Sequence, residues 1–162
     1  MHTQGGPPRS SPRVRGLTLP GLLARLVVSG LWQHPGDEVL HEVLPWFEDP
    51  IDFLATTECM RRESRSLDRF ALDERASRLF HVARGSIAGR VELPWLDADL
   101  AVLIAVNREP GDDVAIALDY GSDAGGPAVV ASDVWTDPST CLWRPVAPNF
   151  EAFAAMLNIR TV

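Results

Sequence analysis

The stretch LAVLIAVNREPGDDVAIALDY, Leu100 to Tyr120, reads as two strands and the turn between them. Leu100 to Val106 is apolar at odd and even positions alike, as in a strand covered on both faces. NREPGDD combines Asn, Pro and Gly, the chemistry of a turn. Val114, Ile116 and Leu118 then share one side of a strand, with the small Ala115 and Ala117 on the other. So short a connection implies an antiparallel pair.

Downstream, AVVASDVW (128–135) predicts the next strand and CLWRPVA (141–147) a last one. Pro145 places that last strand at a sheet edge, because proline donates nothing to a ladder. Pro148 and Asn149 then cap a helix whose apolar stripe is Phe150, Phe153, Ala154 and Leu157. Upstream, RLFHVARG (from Arg78) alternates with period two and predicts a strand, and GRVEL another. Before them the period is helical. Leu22, Leu23, Leu26 and Val27 predict a helix between Pro20 and Gly30, and Asp37 to Val43 predict a second. From Pro50, PIDFLATTECMRRESRSLDRF reads as a third, broken helix. The expected fold is therefore α+β: N-terminal helices, an antiparallel sheet of four to six strands, and a C-terminal covering helix.

The chain has 162 residues, enough for one core, and residues 16–162 are expected to form a single domain. Residues 1–15 hold Arg9, Arg13 and Arg15, no acid, two Gly and three Pro, and read as a disordered tail. The longest apolar run is too short for a bilayer, and the N-terminus lacks the apolar core of a secretory signal. Cys59 and Cys141 have no ligand-spaced companions, so zinc is not expected and the cytoplasm is the expected compartment.

The net charge of −7 argues against nucleic acid as a partner. Charge is also uneven. Residues 61–90 hold eight Arg against four acids, a net +4; residues 97–137 hold nine acids against Arg108 alone, a net −8. An acidic region of this kind can steer a basic partner.

Asp112 and Asp113 share a turn, but neighbours in an extended chain face opposite ways. Asp119 and Asp133 lie near the ends of successive strands, with Asp123 between; an oxygen-only cluster there would suit calcium or magnesium and a metal-dependent enzyme. No known calcium loop spacing is present. His34 and His41 are seven apart, but Pro35 and Gly36 break the helix that would align them. No nucleophile elbow, phosphate loop or dinucleotide fingerprint occurs. The expectation is a chain without catalytic residues, metal or cofactor. Its partner surface is expected at Asp97, Asp99, Asp112, Asp113, Asp119 and Asp133, with Trp46 and Trp135 as aromatic anchors.

The C-terminal half resembles the SUKH superfamily over about residues 75–158. The resemblance rests on Leu103 to Val106, Gly111-Asp112, Ile116 to Asp119, Val129-Val130, and Phe150, Phe153 and Leu157, in that order. The family's N-terminal Leu-Pro-x-x-Tyr phrase is only partly echoed, by LPWFEDPIDFL. The resemblance implies a non-enzymatic α+β protein-binding domain. Bacterial members are largely immunity proteins that neutralise polymorphic toxins, often nucleases; fungal members are regulatory scaffolds.

Overall fold

The computed structural model describes residues 11–47, 50–72, 98–109, 114–121, 126–132 and 143–159. The chain begins with a hairpin, β1 (Arg13–Val14) and β2 (Leu17–Thr18), followed by α1 (Gly21–Val28) and α2 (Asp37–Val43). Next come β3 (Ile51–Phe53) and the long α3 (Thr57–Leu72). A 3-10 turn at Ala98–Leu100 leads into β4 (Ala101–Asn107), then β5 (Ala115–Asp119), β6 (Ala128–Ser132), β7 (Trp143–Ala147) and α4 (Phe150–Met156). Strands β3 to β7 form one sheet in chain order, antiparallel throughout. This is the expected α+β class, with the C-terminal helix packed on β6 and β7. No helix among the described residues is long and apolar enough to cross a membrane.

The sheet centre follows from side-chain pattern. Ala101 to Ala105 and Ala115 to Leu118 are buried at every position, so both faces are covered. Helix α3 packs against β4. At Leu103 the ladder shifts register, and the Leu103 N–H donates to the buried Ser64 Oγ of α3 (2.9 Å). A buried hydroxyl thus satisfies a backbone donor at the irregularity.

Helix ends follow local chemistry. At the end of α1, Gly30 takes φ +72°, Leu31 N–H donates to Leu26 O (2.8 Å) and Gly30 N–H to Val27 O (3.2 Å). These are the paired bonds of a Schellman stop. They turn the chain inward, so that Trp32 lies buried against Phe53, Phe150 and Phe153, with ring centroids 4.5, 5.4 and 6.5 Å away. Helix α4 starts where Asn149 Oδ1 accepts from Ala152 N–H (2.8 Å), and Phe150, Phe153 and Leu157 are buried as its apolar stripe predicts. One core of buried side chains runs from Val14 to Leu157.

Two expectations are corrected. Residues 50–53 are not helical: Ile51, Asp52 and Phe53 pair with Asn107, Val106 and Ala105, with Ile51 buried and Asp52 exposed. Three residues are too few to display a period, and pairing with β4 decides their state. The helix begins only at Thr57, where Thr56 Oγ1 accepts from Cys59 N–H (3.1 Å). The expected tail also extends too far. Arg13 and Val14 form β1, and Val14 is fully buried. Arg15 and Gly16, with φ of 55° and 76°, make the tight turn, since two-residue hairpins of this kind need positive φ at both central residues. The strands expected at 78–85 and in GRVEL lie outside the described residues.

Candidate functional site

Of the residues expected to face a partner, Trp46, Asp99 and Asp119 are described; Asp97, Asp112, Asp113, Asp133 and Trp135 lie outside the described residues, as does Asp123. Asp99 is exposed on the 3-10 turn that precedes Ala101. Asp119 pairs with Ala101, so both acids sit at one end of the sheet. That end belongs to a central strand, not to the sheet edge.

The same end is where the N-terminal hairpin docks. Arg15 Nη1 donates to Ala101 O (2.7 Å), Tyr120 Oη donates to Thr18 O (2.7 Å), and Arg61 Nη2 donates to Arg13 O (3.3 Å). Burial pushes the Tyr120 phenol well above its ordinary pKa. Asp119 is half-buried, and its Oδ1 accepts from Gly121 N–H (2.9 Å). Such a bond closes the turn after the strand. Asp119 is thus committed to local structure.

Asp119 does not meet Trp46. The ring of Trp46 is half-buried, with the Arg144 guanidinium 5.1 Å from its centroid and Phe47 edge-on at 6.0 Å. Arg144 pairs with Ala131, which pairs with Ile116, three residues along β5 from Asp119, or roughly 10 Å. Ser132, the last described residue before Asp133, pairs with Ala115 at the opposite end of β5 from Asp119. Among the described residues no group of three His, Cys, Asp or Glu could hold a metal ion.

A second region was not anticipated. Between α2 and β3 lies an open groove of about 480 Å³. Leu40, Phe47, Pro50 and Ile51 form its apolar lining. His34, Asp37, Glu38 and His41 supply the polar part. Leu40 and Phe47 are almost wholly buried beneath it and Ile51 wholly so, whereas Asp37, Glu38 and His41 are exposed. Helix α2 does start only after Pro35 and Gly36, yet His34 and His41 both line this groove. Gly36, at φ +106°, donates its N–H to His34 Nδ1 (3.0 Å). The proton of a neutral His34 therefore sits on Nε2, which is 3.7 Å from Asp37 Oδ1. The ring also packs on Phe53, 5.5 Å between centroids.

One cation stands close by and is engaged. Arg108 Nε donates to Asp52 Oδ1 (2.8 Å), its backbone N–H to Pro50 O (2.9 Å), and Nη2 to Ile51 O (3.4 Å). The hydrogen bond and charge of Asp52 hold the guanidinium pKa above its ordinary value, with Asp37 and Glu109 adding to the effect. Arg108 clamps β3 to the end of β4.

The sequence signal for this groove is a second acidic region. Between Leu26 and Met60 stand Asp37, Glu38, Glu42, Glu48, Asp49, Asp52 and Glu58, without a single Lys or Arg. Its acids are spread singly or in pairs among apolar residues and form no long run of like charge.

Comparison of the chain with family models, with curated proteins and with solved structures finds no match.

Proposed function

We propose that the protein is a non-enzymatic protein-binding domain, an immunity-type inhibitor that acts in the cytoplasm on a basic, nuclease-like toxin domain. The observation that carries this reading is the distribution of carboxylates. One acidic region spans 97–137 and a second, without Lys or Arg, spans 26–60, on a chain of net charge −7. Nuclease surfaces are basic because phosphate is acidic, and an inhibitor of such an enzyme benefits from exposed carboxylates. The ordered series of residues shared with the SUKH superfamily, from Leu103 to Leu157, supports the same class. Within this reading the partner surface draws on Asp97, Asp99, Asp112, Asp113 and Asp133, with Trp46 and Trp135 as aromatic anchors.

The resemblance implies a cognate toxin encoded by the neighbouring gene. Its C-terminal domain, co-expressed with this chain, should be neutralised and should co-purify with it. Reversing the charge of Asp112, Asp113 and Asp133 together should slow association and flatten its dependence on salt, because rim charges act through encounter. A neighbouring toxin domain that kills cells in the presence of this chain, and does not bind it, would remove the immunity reading and leave a general scaffold domain.

A further inference from the structure

We propose that the groove between α2 and β3 receives an arginine side chain presented by a basic protein partner. The inference rests on the protein-binding reading above and names the feature of the partner that this surface takes.

The groove offers the two things an arginine needs. Pro50, exposed, and the small uncovered edges of Leu40 and Phe47 provide an apolar strip for the aliphatic stem. Asp37 and Glu38, exposed at the rim, provide carboxylates for the guanidinium. Arginine divides in this way between buried stem and charged head, and its planar fork matches carboxylate geometry.

Charge selects the occupant. The groove itself is lined by two carboxylates, Asp37 and Glu38, and by no Lys or Arg. The neighbouring Arg108 is already bonded to Asp52. His34 Nε2 lies 3.7 Å from Asp37 Oδ1, and the Asp37 carboxylate stays exposed at the rim. An anionic or purely apolar segment would meet repulsion or unpaired carboxylates at this rim. The volume, about 480 Å³, lies within the range of roughly 300–1,000 Å³ that holds small ligands, room for one long side chain and its flanking backbone. The groove is open rather than closed, which suits a side chain entering from a protein surface.

The test uses the full chain, isotope-labelled for NMR, and two probes: N-acetyl-arginine amide and N-acetyl-citrulline amide, which match in shape and differ in charge. The arginine amide should shift the backbone signals of Leu40, His41, Phe47 and Ile51 saturably, with Kd on the order of 1 mM, as befits a fragment of this size. The citrulline amide should not saturate over the same range. Asp37→Asn with Glu38→Gln should weaken the arginine amide by about fivefold or more while leaving the remaining spectrum in place. Groove signals that stay still, that respond equally to citrulline, or that respond unchanged in the double variant overturn the proposal. Shifts centred on Asp99 and Asp119 overturn it too and move the cation site to the sheet end. No toxin is needed for this experiment. A toxin that fails to bind while the arginine amide still seats in the groove defeats the functional reading alone. A toxin that binds while arginine amide leaves the groove unmoved defeats this inference alone.

Discussion

The sheet end at Asp99 and Asp119 and the groove between α2 and β3 are both acidic, but they spend their polar groups differently. At the sheet end, Asp119 closes its own turn through Gly121, and the hairpin residues Arg15 and Thr18 take hydrogen bonds to Ala101 and from Tyr120. In the groove, Asp37, Glu38 and His41 stand exposed over a buried apolar wall. An acidic residue in a sequence is therefore not equivalent to an acidic residue on an available surface. The difference lies in what the backbone turns demand locally.

The largest test of this contrast strikes the core that both regions share. Phe153 is fully buried, and its ring lies 6.5 Å from Trp32, which stacks in turn on Phe53 of β3. Phe153→Ala should cost about 3–5 kcal/mol by lost transfer energy and the cavity left behind. Both regions should lose protection together in hydrogen exchange, because one continuous core supports them. A variant that loosens the groove amides while those of β5 keep their full protection would make the two regions independent.

The middle test isolates the hairpin. Tyr120 is the only tyrosine in the chain, so tyrosinate absorbance reads this phenol alone. Its pKa in the fold is raised by burial from the ordinary 10.0. Above pH 10 the unfolded chain releases the proton while the folded chain retains it. The unfolded state then binds fewer protons, so stability falls as pH rises. The contribution is full below pH 10 and is lost through the folded pKa. Tyr120→Phe should remove that alkaline slope and cost about 1 kcal/mol at neutral pH for the bond to Thr18 O. A native titration midpoint at 10 would mean that the hairpin does not cover the phenol.

The architecture was legible wherever side-chain pattern and backbone state are the same thing. Continuous apolar runs announced β4 and β5, Asn149 announced α4, and Gly30 announced the end of α1. It failed where three-dimensional pairing overrides a weak local signal, at β3 and at β1, each only two or three residues long. Site reading was poorer for a related reason. Asp119 looks like every other carboxylate in its charge run, and nothing in its spacing shows that Gly121 N–H will take it. His34 and His41 looked separated by Pro35 and Gly36, yet it is the glycine, donating back to His34 at positive φ, that returns the two rings to one groove. The family-like series of apolar residues describes a core, and cores of the same shape serve many functions.

The smallest expected effect discriminates most directly between the two acidic regions. Carboxylates in the first turn of a helix interact favourably with its dipole by about 0.3–1 kcal/mol each at low salt. Asp37 and Glu38 occupy that turn of α2. Asp37→Asn with Glu38→Gln should therefore lower the urea midpoint slightly in dilute buffer. In 1 M salt, where the screening length is about 3 Å, the loss should fade towards zero. Asp119→Ala removes a different interaction, the acceptor for Gly121 N–H, and should cost about 1 kcal/mol with little dependence on salt. Asp119→Asn keeps an acceptor oxygen in place and should recover much of that loss. The ordering matters because a carboxylate that contributes little to stability at high salt is one the fold does not require. If the α2 double variant remains the more destabilised in 1 M salt, then Asp37 and Glu38 make contacts that the fold requires, and the contrast with Asp119 fails.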